Sequence, residues 1–292
     1  MDNSGMATNS FPDIQSVKVM IGKGRTLSTD PKASVVEIDD LIIKFGRRVY
    51  RSEALAMQLV RDKTTVPVPR LYAYFSELSS GGEERCGYLV MEKVSGVSLL
   101  DVLARLDEAS GISIASQLRS HICSLRSLSS PGKWGVVGRD GVFHGGQFKY
   151  LHRPFTEEQL RYGNPCRVSS TRDVVEYFAR ACDYAEGDRD PEITIFSHGD
   201  LVPENILVDE ATASITSIID WEHAGWYPYF WDDSIAEMHK SAYQGHFTTI
   251  KRWNGIRQIA IEDASDREAV LAYTKLHFFA FLRGQDEFLH PA

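Results

Sequence analysis

The 292-residue sequence has no apolar run near the ~20 residues needed to span a bilayer. A membrane partner is therefore not expected. Cysteine is scarce. There are four, Cys86, Cys123, Cys166 and Cys182, and none forms a C-x-x-C pair. So few thiols exclude a disulfide scaffold and suit a reducing compartment, with each thiol as a small apolar side chain. A long basic run is also missing. Lys plus Arg number 32 against 40 Asp plus Glu, for a net charge of −8. The largest basic cluster, Lys44 to Arg51, is interrupted by Phe45 and Gly46. Nucleic acid is thus not the expected partner, because gripping a phosphate backbone requires a basic face. Residues Met1 to Gln15 are polar, carry Asp2 and Asp13, and show no basic stretch leading into an apolar one, so they do not read as a signal peptide. A cytoplasmic globular protein is the expectation. Its 43 % apolar and 25 % charged residues fit that class.

The first fifteen residues read as a tail. Val17 to Ile21 and Val35 to Phe45 are β-branched and partly alternating, which predicts strands. Arg51 to Lys63 reads as a helix with Leu55, Leu59 and Val60 on one face, ended by Val66-Pro67-Val68-Pro69. Leu71 to Phe75 and Tyr88 to Met91 predict two further strands around the polar turn Ser79 to Glu84. Helical patterns dominate afterwards. Ser98 is placed to cap a helix from Leu99, and Ile114, Leu118, Ile122, Leu125 and Leu128 keep helical spacing. Val174 to Cys182 and Asp266 to Leu289 do the same. The six glycines between Gly132 and Gly146 follow a helix rather than a strand, so they read as a surface loop and not a phosphate cradle. The composition changes near Glu92 to Gly96, the best boundary between two parts.

The chemistry concentrates in His198-Gly199-Asp200-Leu201-Val202-Pro203-Glu204-Asn205, followed by Ile206 to Asp209 and Ile215 to Glu222. Two short apolar strands around the polar turn Asp209 to Ser214 predict an antiparallel hairpin. A hairpin brings the start of its first strand beside the end of its second. Asn205 and Asp220 then meet, and Asp200 reaches the same spot from the preceding loop. An amide oxygen and a carboxylate are hard ligands of the kind Mg²⁺ takes, with water and phosphate completing its shell. A further carboxylate that orients a hydroxyl and accepts its proton completes a minimal phosphoryl-transfer apparatus. Taken singly, each of these residues would be a turn residue or a strand-end cap.

The strings His-Gly-Asp-Leu-x-x-x-Asn and Ile-Ile-Asp-Trp-Glu-x-Ala-Gly make the chain resemble the aminoglycoside phosphotransferase and choline kinase group, and more closely its fungal members. The likeness runs from about residue 35 to 240. It implies an α+β, protein-kinase-like, two-lobed fold, with a small antiparallel-sheet lobe at 16–91, a hinge at 92–96 and a mainly helical lobe at 97–292. The resemblance also implies ATP and Mg²⁺ as cofactors. It makes Asp200 the catalytic base, Asn205 and Asp220 the metal ligands, and Lys44, paired with Glu53, the contact to the donor phosphates. His198 would hold backbone. Backbone groups of Glu92 and Val94 would bond a purine between apolar walls from Met91 and Val90.

Two departures stand out. A G-x-G-x-x-G cover is missing, and only Gly22-Lys23-Gly24-Arg25-Thr26 stands near that place, which reads equally as a weak phosphate cover helped by Lys23, Arg25 or Thr26 and as an ordinary turn. The family's Gly-x-x-Asp-x-x-x-Asp-Leu-Ala pattern lacks its first aspartate in Gly225 to Ala236, which argues against an aminoglycoside acceptor. The aromatic run Trp226 to Trp231 reads as packing. Acidic residues near the site in sequence, Glu204, Glu222, Asp232, Asp233 and Glu237, would favour an amine-bearing small-molecule acceptor. The expected function is phosphorylation of a small-molecule hydroxyl. A non-catalytic kinase-like binding module is the alternative, and a metal-dependent hydrolase using His198, Asp200 and His223 is a weaker one. The oligomeric state is not legible in the sequence.

Overall fold

The computed structural model describes residues 13–30, 32–78, 85–131, 135–138, 194–228, 231–239 and 247–261. The tail to residue 12, the turn at 79–84, the expected helices at 174–182 and 266–289, Cys166 and Cys182 lie outside them, as does most of the glycine-rich stretch.

Helix α1 (Ile14–Lys23) opens the described chain, where the apolar pattern had predicted a strand at 17–21. The reason is local. Asp13 caps the helix by accepting the Ser16 N–H at 2.7 Å, and Gly24 ends it. Helical spacing also lets Ile14, Val17 and Ile21 share one face, which packs behind a sheet on Ile43, Ala73, Tyr88 and Val90. The helix therefore begins within the stretch expected as a tail, at Ile14.

That sheet has five strands in the order β1-β2-β3-β5-β4. They are β1 (Arg25–Ser28), β2 (Ser34–Ile38), β3 (Leu41–Gly46), β4 (Leu71–Leu78) and β5 (Arg85–Glu92), with helix α2 (Arg51–Lys63) between β3 and β4. The stretch 35–45 is two strands, β2 and β3, joined by a tight turn at Asp39-Asp40. Asp39 takes a left-handed φ of 51°, a conformation aspartate tolerates better than most residues. Register pairs Lys44 with Val35 and Leu89, and Ile42 with Met91. Side chains alternate along a strand, so these residues share the sheet face opposite to Ile43 and Val90. Val90 is therefore a rear-core residue and not a wall of a nucleotide pocket.

Strand β6 (Val97–Ser98) follows, then α3 (Leu99–Leu103) and α4 (Glu108–Arg126). Ser98 Oγ accepts the Leu100 N–H, as its spacing predicted, and Asp107 caps α4 through Ser110 N–H at 2.7 Å. Strand β7 (Gly135–Val136) is buried and pairs with β11 (Gly225–Pro228), which also pairs with β8 (Thr194–Ser197). Gly135 and Val136 of the glycine-rich stretch thus form a buried strand rather than a surface loop, with Gly138 exposed at the turn beyond them. The predicted hairpin is β9 (Ile206–Asp209) with β10 (Ser214–Ile218), Ile206 opposite Ile218, and β6 adds a third strand. Helices α5 (Trp231–His239) and α6 (Phe247–Ala260) complete the described residues, with α6 against α4. Tyr227 and Trp231 stack with centroids 4.5 Å apart and are buried, so this part of the aromatic run packs the core.

Helical and extended readings of 17–21 differ in one measurable way. Val17 is fully buried and Val19 is 57 % exposed, whereas a strand would put both on one face. Val17→Ala is expected to lower unfolding free energy by about 1–2 kcal/mol. Val19→Ala should stay within about 0.5 kcal/mol in the same denaturant titration. Equal losses would argue for the strand.

Candidate active site

Each candidate side chain is positioned by the end of a regular element. Lys44 sits near the end of β3, 8 % exposed, with its ammonium turned into the molecule. Glu53 lies in the first turn of α2 and is 1 % exposed. Their charges meet, with Lys44 Nζ 3.0 Å from Glu53 Oε2. The same ammonium lies 2.6 Å from Asp220 Oδ1, from a residue 176 positions away in sequence, and 3.3 Å from Glu222 Oε2. Asp220 follows β10 and adopts a left-handed φ of 65°, which turns the chain into the 3-10 turn Trp221–His223. Glu222 sits in that turn. It was counted in the sequence only as part of an acidic surplus. Its place two residues after Asp220 was the available signal.

Three carboxylates around one ammonium leave a negative surplus. Burial alone would lower the Lys44 pKa, but Glu53, Asp220 and Glu222 outweigh it, and the lysine stays charged. Burial, with the repulsion of Asp220 and Glu222, raises Glu53 even though Lys44 pulls the other way. Lys44 and Glu53 thus shift in ways that do not mirror each other. The geometry favours a charged pair, and the surplus falls on the most buried acid. Burial also acts against the Glu222 charge, but His223, 3.2 Å away, and Lys44 hold its carboxyl below the ordinary range.

Asp200 and Asn205 form the second half of the site. Asn205 Nδ2 donates to the Asp200 carbonyl at 2.9 Å and to its carboxylate at 3.2 Å. This leaves Asn205 Oδ1 as the amide's acceptor atom. The hairpin joins the halves, because Ile219 N–H donates to the Asn205 carbonyl at 2.9 Å directly before Asp220. His198 is wholly buried and braces the loop. Its Nδ1 accepts the Asp200 N–H at 3.3 Å, and its Nε2 lies 3.0 Å from the Ile219 carbonyl. Only a neutral ring with its hydrogen on Nε2 satisfies both. Both nitrogens are committed, so His198 cannot serve as a metal ligand in a hydrolase.

Other expectations change. Asp232 is 3 % exposed and accepts the backbone N–H groups of His198 at 3.3 Å and Gly199 at 2.9 Å. Burial raises its carboxyl to about 6, partly offset by those bonds and by Arg126. Asp233 pairs with Arg257 at 2.6 Å. With Glu222 on Lys44 and His223, these three acids are internal partners of other groups. Lys23 ends α1, and Arg25 pairs with Glu37 at 2.7 Å. The connection between β1 and β2 holds Asp30 and Lys32 and no glycine. It is pinned by Arg48 N–H on the Lys32 carbonyl at 2.8 Å.

At the other end of the sheet, Met91 lies opposite Ile42 on the Lys44 face. Glu92 N–H donates to the Arg70 carbonyl at 2.9 Å, and the Glu92 carboxylate accepts the Arg70 N–H at 3.0 Å. A purine contact at Glu92 therefore falls to its carbonyl. Val94 follows Lys93, whose N–H goes to Asp40.

The acids beside Lys44 suit a divalent cation. Carboxylate oxygens of Glu53, Asp220 and Glu222 all lie within 4.8 Å of one another, with the Lys44 ammonium among them; Asp220 and Glu222 are the less buried of the three and the ones a hard cation could reach.

A model of the family described as phosphotransferase enzyme family matches residues 35–239. A thermostable mutant of aminoglycoside phosphotransferase APH(4)-Ia, in ternary complex with ADP and hygromycin B, is 14 % identical with a TM-score of 0.59, covering 92 % of each chain. Aminoglycoside-3'-phosphotransferase of type VIII is 16 % identical with a TM-score of 0.55, over 91 % of this chain and 98 % of that one. APH(3'')-Id from Streptomyces rimosus is 17 % identical with a TM-score of 0.50, over 91 % and 95 %. At these identities the likeness concerns the fold, a two-lobed kinase-like α+β architecture.

The two site histidines should titrate in opposite directions. Burial pushes His198 down from 6.5 to about 4. Burial also opposes the His223 charge, but the Glu222 bond and the charges of Glu222, Asp200 and Asp220 outweigh it and raise that ring. Since His198 is depressed on folding, its contribution to stability is full above 6.5 and is lost as pH falls toward about 4. An NMR titration is expected to find His198 neutral and His223 charged at about pH 5.5. A His198 that titrates at its ordinary value would contradict its buried placement.

Proposed function

The chain belongs to the phosphotransferase enzyme family, and we propose that it transfers the γ-phosphoryl group of ATP to a hydroxyl of a small molecule, with Mg²⁺. The observation that carries this is the buried Lys44 ammonium, held at once by Glu53 and Asp220 from the two sides of the molecule. The neighbour bound to ADP and hygromycin B supports a nucleotide donor and a small-molecule acceptor.

In this reading Asp200 takes the proton of the acceptor hydroxyl as its oxygen bonds to the γ-phosphorus and the β–γ bridging bond breaks. Asn205 Nδ2 holds the Asp200 carboxylate and so orients it. Lys44 contacts the donor phosphates, and Glu53 keeps it in place. Asn205 and Asp220 would hold Mg²⁺, with the Glu222 carboxylate beside them. When bound, the ion neutralises phosphate charge. Met91 and Ile42 would wall the base, and the backbone of Glu92 and Val94 would bond its edge. The glycine-free connection between β1 and β2 favours a second reading, a kinase-like module that binds nucleotide without turnover.

Asp200→Asn separates these readings. It is expected to lower turnover roughly 10²–10⁴-fold, the cost of losing a general base, in a ³²P-transfer screen across metabolites. Mg²⁺·ATP should still raise the melting temperature of the variant and the wild type. A nucleotide-induced shift with no acceptor phosphorylated by the wild type would favour the binding module. No shift at millimolar nucleotide would sink both.

A further inference from the structure

We infer that strand β7 and its continuation to Gly138 form a positioning strap, which seats helix α2 against the turn that carries Asp220. Its meaning for catalysis rests on the proposed phosphotransferase function; the mechanical link does not. The strap touches both elements that supply the carboxylates around Lys44. At one end, Gly135 and Val136 pair with Trp226 and Gly225, just after the Asp220 turn. The approach is so close that a Cβ on Gly225 would lie 2.0 Å from the Gly135 carbonyl oxygen. Val137 N–H then donates to the Ala224 carbonyl at 3.0 Å. At the other end, Gly138 turns with a φ of 72°, and a Cβ there would lie 2.9 Å from Leu55 Cδ1. Leu55 stands two residues beyond Glu53 on α2.

Helix α2 has no side-chain cap at Tyr50, so its N-terminal turn is held by packing. That packing includes the Trp221–His223 turn and the core to which Val137 and Leu55 both belong. A shift of about an ångström at Leu55 carries Glu53 with it and opens an ion pair now 3.0 Å long. A Cβ at Gly138 would press on the tip of the Leu55 side chain, in a left-handed conformation that glycine adopts most readily.

The test is hydrogen exchange on the full chain. Gly138→Asn keeps a residue that tolerates the left-handed conformation and adds the Cβ. We expect the amides of α2 to exchange about tenfold faster, while those of α4 keep their rate. Leu55→Ala is expected to act in the same place. The double variant should lose less protection than the two singles together, because the smaller side chain makes room. Equal acceleration of α4, an unchanged α2, or strict additivity would overturn the strap. If Gly138→Asn does not fold, the comparison of α2 with α4 in Leu55→Ala decides alone. The Mg²⁺·ATP dissociation constant should rise in parallel, by about tenfold. Should the wild type bind no nucleotide while α2 responds as described, the proposed function fails and the strap stands.

Discussion

The charge of Lys44 has left water, and the surrounding fold is what makes that tolerable. An ammonium at 8 % exposure is stable only with acidic partners in good geometry, and here they come from helix α2 and from the turn after β10. Stripping one partner from such a pair typically costs about 3–5 kcal/mol, because the other charge stays buried and unpaired. The strands, the helix start and the turn are thereby bound to a common position. The arrangement also has a direction. Its acids outnumber its cation, so it attracts a further positive charge.

The loop around Asp200 obeys a different constraint. Its backbone groups are buried and need partners. Asp232 takes the N–H groups of His198 and Gly199, the His198 ring takes the N–H of Asp200, and Asn205 takes the Asp200 carbonyl. Asp200 is thereby carried on a backbone with little freedom to move. The acids near the site therefore divide by burial. Asp232 supports backbone, and Glu222 supports Lys44 and His223.

Much of the site was legible because it is encoded by short spacings. The hairpin shows in two apolar triplets around a polar turn, and its pairing brings Ile219, just before Asp220, to the Asn205 carbonyl. The helix 51–63 and the Ser98 cap were legible for the same reason. The stretch 17–21 was not, since its β-branched residues suit a strand until the Asp13 cap and the receiving face behind the sheet are known. Glu222 and Asp232 were also misread. A carboxylate in sequence carries no mark of whether it will be buried, and both became internal partners of groups far away along the chain.

By itself the sequence determined which residues could do chemistry, which elements they would terminate and which family pattern they follow, because these depend on local spacing and turn propensity. Only the tertiary structure decided that Lys44 meets Asp220 and Glu222 across more than half of the chain, that Val90 faces away from the site, and that β7 reaches from the Asp220 turn to α2. The physical reason is that burial and long-range charge pairing depend on which surfaces the packed elements bring together, and local spacing does not specify those surfaces.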